Sequence, residues 1–392
     1  MFRIRTLNKI SEAGLREFPT DTYLVGADVD QADALLVRSA DLHEMEFGPQ
    51  LQAIARAGAG VNNIPTDRCS ESGIVVFNTP GANANSVKEL VLAGLFLAAR
   101  DIHGGVQWVR DNAGSADLEK TVETEKKRFA GHEVMGKTLG VVGLGAIGVM
   151  VSNAAVSLGM RVVGFDPFIS VESAWGLARE VERARTIEDV FRESDYITLH
   201  VPLNDSTRGM INSETIRHMK PGVRILNFAR GPLADEEAIL EALTAGQVGG
   251  YLTDFPTSRL AAHDRVLGIP HLGASTVEAE DNCAVMAVRQ LRAFLENGII
   301  RNSVNFPECA LGVAPGTRIL VANRNIPNMV GQITTILAEN SINIADLLNR
   351  HRGELAYNII DIEGHLTPPI VDKLRAIDGV IFVRAIGGEA FQ

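Results

Sequence analysis

Two side chains have the types that could interconvert an alcohol and a ketone. They are Arg230, in Asn227-Phe228-Ala229-Arg230-Gly231, and His271, in Pro270-His271-Leu272-Gly273-Ala274-Ser275-Thr276. A histidine titrates near neutrality, so it can take a hydroxyl proton in oxidation and return it in reduction. An arginine fork suits a carboxylate or a polarised carbonyl. Arg230 follows an apolar strand candidate, Arg224 to Phe228, which puts it at the C-terminal edge of a sheet, where ligands of α/β folds bind. By residue type alone both have plainer readings: an arginine that caps a helix or pairs on the surface, and a structural loop histidine.

A third stretch supplies a partner for such chemistry. Leu139 to Val142 reads as a short buried strand, followed by Gly143-Leu144-Gly145-Ala146-Ile147-Gly148, an apolar helix from Val149 to Leu158, and a second strand, Arg161 to Phe165, ending at Asp166. The three glycines provide a tight turn, close backbone approach to a pyrophosphate, and close helix packing, while the helix N-terminus faces the phosphates. Asp166 is the expected ribose partner. A carboxylate there repels a 2′-phosphate, so the expected cofactor is NAD rather than NADP. An Asp-Pro pair also simply ends strands.

These groups need a scaffold, and the periodicity predicts an α/β one with two Rossmann-like domains. Short strands such as Ala34 to Val37 and Gly73 to Phe77 alternate with helices over residues 1–92. A long helix is expected over Ser86 to Arg100, with Asn85 or Ser86 as cap and Glu89 completing a capping box. The charged run Glu119 to Arg128 reads as a surface arm. Strand candidates Tyr196 to Val201, Arg224 to Phe228 and Gly250 to Asp254 continue a doubly wound sheet, and Val277 to Glu296 reads as one helix. A linker at 305–316, with Pro307 and Pro315, precedes a last unit at 317–392 whose order of elements is βαββαβ, the ferredoxin-like plan.

Composition narrows the class. The chain has 392 residues, enough for two or three domains, and a net charge of −11, which argues against nucleic acid or an anionic membrane as partner. Cys69, Cys283 and Cys309 are an odd number, far apart, with neither metal-ligand spacing nor a disulfide framework, so no metal is expected and a reducing, cytoplasmic setting is. Met1 to Arg5 lacks the apolar core of a signal peptide, and the apolar run Leu90 to Ala99 is too short for a membrane span.

With these motifs in order, the chain resembles the D-2-hydroxyacid dehydrogenases. The resemblance rests on Val37-Arg38-Ser39, Arg56 to Ile64, Asn78 to Asn83, the glycine fingerprint, Leu199 to Leu203, Met219 to Gly222, Asn227 to Gly231, and Pro270 to Thr276. It implies a substrate domain from 1–92 and 275–304 around an inserted NAD domain at 93–274, with the cleft between them. Within the family it points to the branch that oxidises D-3-phosphoglycerate to 3-phosphooxypyruvate at the head of serine biosynthesis. The resemblance makes His271 the general acid/base and Arg230 the holder of the substrate carboxylate and carbonyl. NAD is then held by Gly143, Gly145, Ala146, Ile147, Gly148 and Asp166, with His200, Val201, Pro202, Phe228, Ala229, Arg230, Asp254, His271, Gly273 and Ala274 lining the nicotinamide side. The substrate set is Arg38, Ser39, Arg56, Ala59, Gly60 and Asn83. Arg38 and Arg56 suit a phosphate because arginine forks bind it bidentately. Lys126 and Lys127 add charge, or belong only to the solvated arm. A homodimer or homotetramer is implied.

One departure matters. The family's catalytic glutamate, which pairs with the histidine, is missing from Asp254-Phe255-Pro256-Thr257-Ser258-Arg259, and Ser258 stands about where it would fall. Either another acid, such as Asp264, reaches His271, or the enzyme works without one. The C-terminal unit resembles an ACT domain, an amino-acid-sensing module. Asn325 matches its ligand-binding asparagine, with Asn323 beside it; Asn323 and Asn328 replace the His and Gly of serine-inhibited relatives. An amino-acid effector and a purely structural, dimerising role both remain open. So do two other functions, a glyoxylate or hydroxypyruvate reductase and an NAD-binding regulatory protein with weak catalysis.

Overall fold

The computed structural model describes residues 1–313 and 316–387. The expected linker at 305–316 therefore includes two residues, and the last unit five, that lie outside the described residues. The chain forms two compact units, Met1–Asn83 with Glu280–Gln392, and Ala84–Ala279.

In the first unit, β1 (Phe2–Leu7), β2 (Tyr23–Gly26), β3 (Ala34–Val37), β4 (Ala53–Arg56) and β5 (Val75–Phe77) make a five-stranded sheet in the order β2-β1-β3-β4-β5. All its pairings are parallel. Parallel strands buried on both faces are continuously apolar, as Ala34 to Val37 is. The Val277–Asn297 helix packs on this sheet through Ala284, Ala287, Val288 and Leu291, which share a core with Ile4, Leu36 and Ala55.

In the second unit, β6 (Thr138–Val142), β7 (Arg161–Phe165), β8 (Val181–Arg183), β9 (Tyr196–Leu199), β10 (Val223–Asn227), β11 (Val248–Thr253) and β12 (Val266–Gly268) form a seven-stranded parallel sheet. Its order, β12-β11-β10-β9-β6-β7-β8, reverses direction at β6, the switch point at which such sheets bind dinucleotides.

The expected helix over Ser86 to Arg100 runs from Ala84 to Ala99 instead. Ser86 is therefore inside the helix rather than its cap. Its hydroxyl donates to the Gly273 carbonyl at 2.8 Å, and the Asn85 amide donates to Glu89 at 2.8 Å. This helix belongs to the second unit: a Cβ on Gly94 would meet the Phe228 ring at 3.0 Å. The break between the two compact units falls at Asn83/Ala84.

The last strands are β13 (Thr317–Arg324), β14 (Asn343–Arg352), β15 (Leu355–Glu363) and β16 (Val380–Ile386), antiparallel in the order β14-β15-β13-β16. Helices Met329–Glu339 and Pro368–Arg375 cover one face, giving the expected βαββαβ unit. The other face, through Leu320, Ala322, Tyr357 and Ile359, joins one core with Phe77, Phe294 and Phe306. Two arginines reinforce that docking. Arg318 pairs with Asp361 at 2.6 and 2.8 Å and also donates to the Asn297 carbonyl at 2.9 Å. Arg384 donates to Gln52 and to the Phe294 carbonyl. Among the described residues no helix is long and apolar enough to cross a membrane.

Candidate active site

The glycine turn is built as a cradle. Gly143 has φ +92°, and a Cβ on it would lie 2.5 Å from the His200 carbonyl oxygen; one on Gly148 would lie 2.0 Å from the Gly143 oxygen. Neither can be replaced without displacing backbone. Gly145 has nothing within 4 Å of its missing Cβ, so it leaves open approach to the backbone, and it caps the Ala146–Ser157 helix without any side-chain hydrogen bond. The first-turn amides, at Ala146 and Ile147, are therefore presented to an anion. Asp166 ends β7 with its carboxylate folded onto the turn: Oδ2 accepts from the Leu144 N–H and Oδ1 from the Phe168 N–H, each at 2.8 Å. Each oxygen keeps lone-pair capacity for a hydroxyl donor.

Ends of adjacent strands carry the rest. His200 follows β9 and shares a 3.0 Å hydrogen bond with the Thr198 hydroxyl; burial pushes its imidazole down to about 4, so it is neutral at pH 7. Val201 and Pro202 continue from it. Phe228, Ala229 and Arg230 follow β10, with Phe228 buried and Arg230 exposed, the latter donating to the Ala229 carbonyl at 2.6 Å. Asp254 follows β11 and is 2 % exposed. His271 is exposed, its ring tilted 53° against Phe255 at 4.6 Å between centroids. Gly273 and Ala274 come next, Gly273 held by Ser86. Asp264 is exposed and makes no hydrogen bond or ion pair with His271 among the described residues. Burial raises the Asp254 carboxyl, and the charge of His271 acts against that rise.

In the first unit, Arg38 and Ser39 follow β3 and Arg56 ends β4. Arg56 donates to the Arg38 carbonyl at 2.9 Å and to the Gly60 carbonyl, so it ties two loops together. Arg38 is half-exposed and pairs with Glu280 at 2.8 Å. Ala59 and Gly60 lie in the second of those loops, where Asn78 donates to the Ala59 carbonyl at 2.6 Å. Asn83 is the unit's last residue before the break. Lys126 pairs with Glu123 in its own exposed arm, and Lys127 lies beside it.

Several site-building residues escaped the sequence reading. Asn8, at φ +69°, accepts from the Ser39 and Ala40 N–H groups and so shapes the Arg38 loop. Asn227 does the same for Arg230, and a fully buried asparagine at a strand end was the available signal. Of the two asparagines assigned to an effector, Asn323 is buried, donates to the Arg324 carbonyl and accepts from Asn358 at 2.8 Å. Asn325 stays at the surface, its amide 3.2 Å from the Gly353 carbonyl.

Residues 92–273 match the family described as D-isomer specific 2-hydroxyacid dehydrogenase, NAD binding domain. The chain is 33% identical over 399 residues to a D-3-phosphoglycerate dehydrogenase of Methanocaldococcus jannaschii, covering 97% of this chain and 72% of the relative. A second such enzyme, from Haemophilus influenzae, is 33% identical over 87% of this chain and 83% of its own length. A third, from Synechocystis, is 38% identical, and the chain spans only 54% of its length. Among solved structures, an NAD+-bound 3-phosphoglycerate dehydrogenase of Entamoeba histolytica aligns with TM-score 0.61 and 29% identity over 78% of this chain and 98% of that one. A Rhodotorula graminis D-mandelate dehydrogenase shares the fold, with TM-score 0.67 at 23% identity over 79% of this chain and 99% of that one. The cradle at Gly143 to Gly148, the strand-end acid and the match over 92–273 together fit NAD, and the chain belongs to the D-isomer-specific 2-hydroxyacid dehydrogenases.

Proposed function

We propose that the protein oxidises D-3-phosphoglycerate to 3-phosphooxypyruvate, the first step of phosphorylated serine biosynthesis, as a cytoplasmic homo-oligomer. The observation that carries the substrate choice is the arginine pair at the ends of adjacent strands β3 and β4, in a chain of net charge −11. Arg56 braces the loops, and Arg38 offers a half-exposed fork to a phosphate. The names of the relatives support the same substrate.

Arg230 holds the substrate carboxylate and the developing carbonyl oxygen, and His271 takes the hydroxyl proton. NAD, when bound by the glycine cradle and Asp166, supplies the hydride acceptor. Neutral His200 adds no positive charge at the nicotinamide side. Ser39, Ala59, Gly60 and Asn83 complete the substrate contacts through loop backbone and small side chains.

The Arg38–Glu280 ion pair favours a second reading, a glyoxylate or hydroxypyruvate reductase, because it partly neutralises the phosphate anchor. The exposed apolar residues Ile102, Val106 and Val109, beside a groove of about 540 Å³ that includes Trp108 and Phe129, suit a second copy of the chain in a homodimer or homotetramer. Asn325 is the remaining contact for an amino-acid effector.

NADH formation from 3-phosphoglycerate, beside D-lactate and D-glycerate at alkaline pH with the keto product trapped, tests the assignment. Selective turnover of the phosphorylated acid supports it. Equal turnover of all three favours the second reading, and NAD binding without turnover of any favours a regulatory protein.

A further inference from the structure

The first unit contains a cavity of about 520 Å³, none of whose lining residues is assigned above to cofactor or substrate. Cavities of that size take small organic ligands. One side is a face of the Val277–Asn297 helix, where Val285, Met286 and Ala293 offer hydrocarbon. The opposite side includes Arg301 and Asn302, from the short hairpin closed by the Ile300–Cys309 bridge.

Two polar groups of the lining are left without a counterpart. Gln290 is 7 % exposed; its amide donates to the Asn78 carbonyl at 2.9 Å, and its Oε1 is buried with no hydrogen-bond partner. Turning the amide over would set two carbonyl oxygens against each other, so the unmet group is an acceptor. A buried acceptor without a donor is costly and marks a place where a donor can arrive. Arg289 also lines the cavity, but Glu17 holds it at 3.0 and 3.1 Å and cancels its charge. Arg301 is exposed and makes no ion pair among the described residues. Glu308, on the same hairpin, accepts instead from the Asn302 N–H at 3.3 Å. The lining therefore presents one uncompensated guanidinium, one unmet acceptor and an apolar wall.

We infer that this cavity is a second ligand site, for a small monocarboxylic acid with a hydrocarbon body and one hydroxyl. The carboxylate pairs with the Arg301 fork, the hydroxyl donates to Gln290 Oε1, and the hydrocarbon lies on Val285, Met286 and Ala293. A single net positive charge matches a monoanion better than a dianionic phosphate. A single free acceptor matches a hydroxyl, with its one donor, better than an ammonium group, which brings three donors and a charge to desolvate. The site shares no residue with the proposed dehydrogenase centre, and its occupancy is read without turnover.

The probe is L-2-hydroxy-4-methylpentanoate, whose hand is opposite to that handled by D-isomer-specific enzymes, titrated calorimetrically into the full chain without cofactor. Saturable binding with Kd of about 1 mM or tighter is expected. Arg301→Ala, which removes an exposed side chain and no ion pair, should weaken it by about 10-fold or more, and Met286→Trp, which fills the cavity, should abolish it. 4-Methylpentanoate, lacking the hydroxyl, should bind about 3- to 10-fold more weakly than the hydroxy acid. L-Leucine and inorganic phosphate should also bind more weakly. Absence of saturation by about 20 mM, full-strength binding in Arg301→Ala, or tighter binding of leucine or phosphate each overturns the inference. Because Met286→Trp can disturb the helix, Arg301→Ala and the ligand series decide the matter if that variant does not fold.

Discussion

Asn227 holds Arg230 by both ends of its backbone: the Asn227 amide donates to the Arg230 carbonyl at 2.9 Å, and its oxygen accepts from the Arg230 N–H at 3.3 Å. The same amide donates to the Tyr251 hydroxyl at 3.1 Å. One fully buried side chain thus folds the loop that presents the guanidinium. Asn227→Ala removes hydrogen bonds to four groups, the Arg230 carbonyl, the Ala229 and Arg230 N–H groups and the Tyr251 hydroxyl, of which the one to Tyr251 is buried; a buried group left unsatisfied costs about 1–3 kcal/mol. The expected outcome is a lower urea midpoint together with a kcat/KM loss greater than the stability loss accounts for, measured at a temperature where the variant is folded.

The three glycines of the cradle separate by role. Gly148→Ala forces a Cβ to within 2.0 Å of the Gly143 oxygen and should destabilise the domain by about 1–3 kcal/mol. Gly145→Ala meets nothing in the protein. It should leave the thermal midpoint within a degree or two and weaken NAD binding roughly tenfold by blocking backbone approach to the diphosphate. Calorimetric unfolding beside NAD titration distinguishes the two.

The elements around that cradle were legible because strand, glycine turn, helix and terminal acid follow one another locally. Strand β7 matches its expected limits, and the βαββαβ order of the last unit is as read. What the sequence left dark depends on contacts remote along the chain. The patterning of β13 and β15 marks two apolar faces, but not that one of them meets Phe77 and Phe294. Nothing nearby in sequence marks Arg318, which that docking leaves fully buried, or Arg384, which is half-buried. Ser86 reads as a cap because nothing nearby in sequence reveals Gly273 as its partner.

Glu280 should set the affinity for a phosphorylated substrate by competing for Arg38. Exposed pairs contribute about 0.2–1 kcal/mol, so Glu280→Gln is expected to lower KM for 3-phosphoglycerate by about two- to fivefold at low salt, with the gain shrinking as salt rises. Arg38→Ala should raise the same KM roughly 10- to 100-fold while leaving KM for an unphosphorylated hydroxy acid nearly unchanged. A parallel rise for both substrates would remove Arg38 from the phosphate.

His200 predicts acid sensitivity. Its folded-state value, pushed down to about 4 by burial, lies below the unfolded value of about 6.5. The stability held by the neutral imidazole is therefore present above about pH 6.5 and is lost as pH falls towards 4, because unfolding takes up a proton in that window. Urea midpoints of the parent and of His200→Gln, taken from pH 7.5 to 4.5, should converge as pH falls. Parallel curves would show that His200 titrates as it does in an unfolded chain.

The C-terminal sheet carries a cross-strand pair, Arg318 on β13 with Asp361 on β15, in which the guanidinium is fully buried and the carboxylate nearly so. Arg318 also donates to the Gly312 carbonyl at 2.7 Å and to Asn297 at the end of the long helix. Asp361→Ala leaves a buried cation without its counter-charge and should cost about 3–5 kcal/mol. Because Asp361 holds the guanidinium that joins the sheet to that helix through the Asn297 carbonyl, the loss should appear in the cooperative unfolding of the whole first unit and lower its midpoint. If the C-terminal sheet instead melted early while Phe77, Phe294 and their neighbours kept their protection in hydrogen exchange, the sheet would be an appended module and the shared core would not bind it to the rest of the first unit.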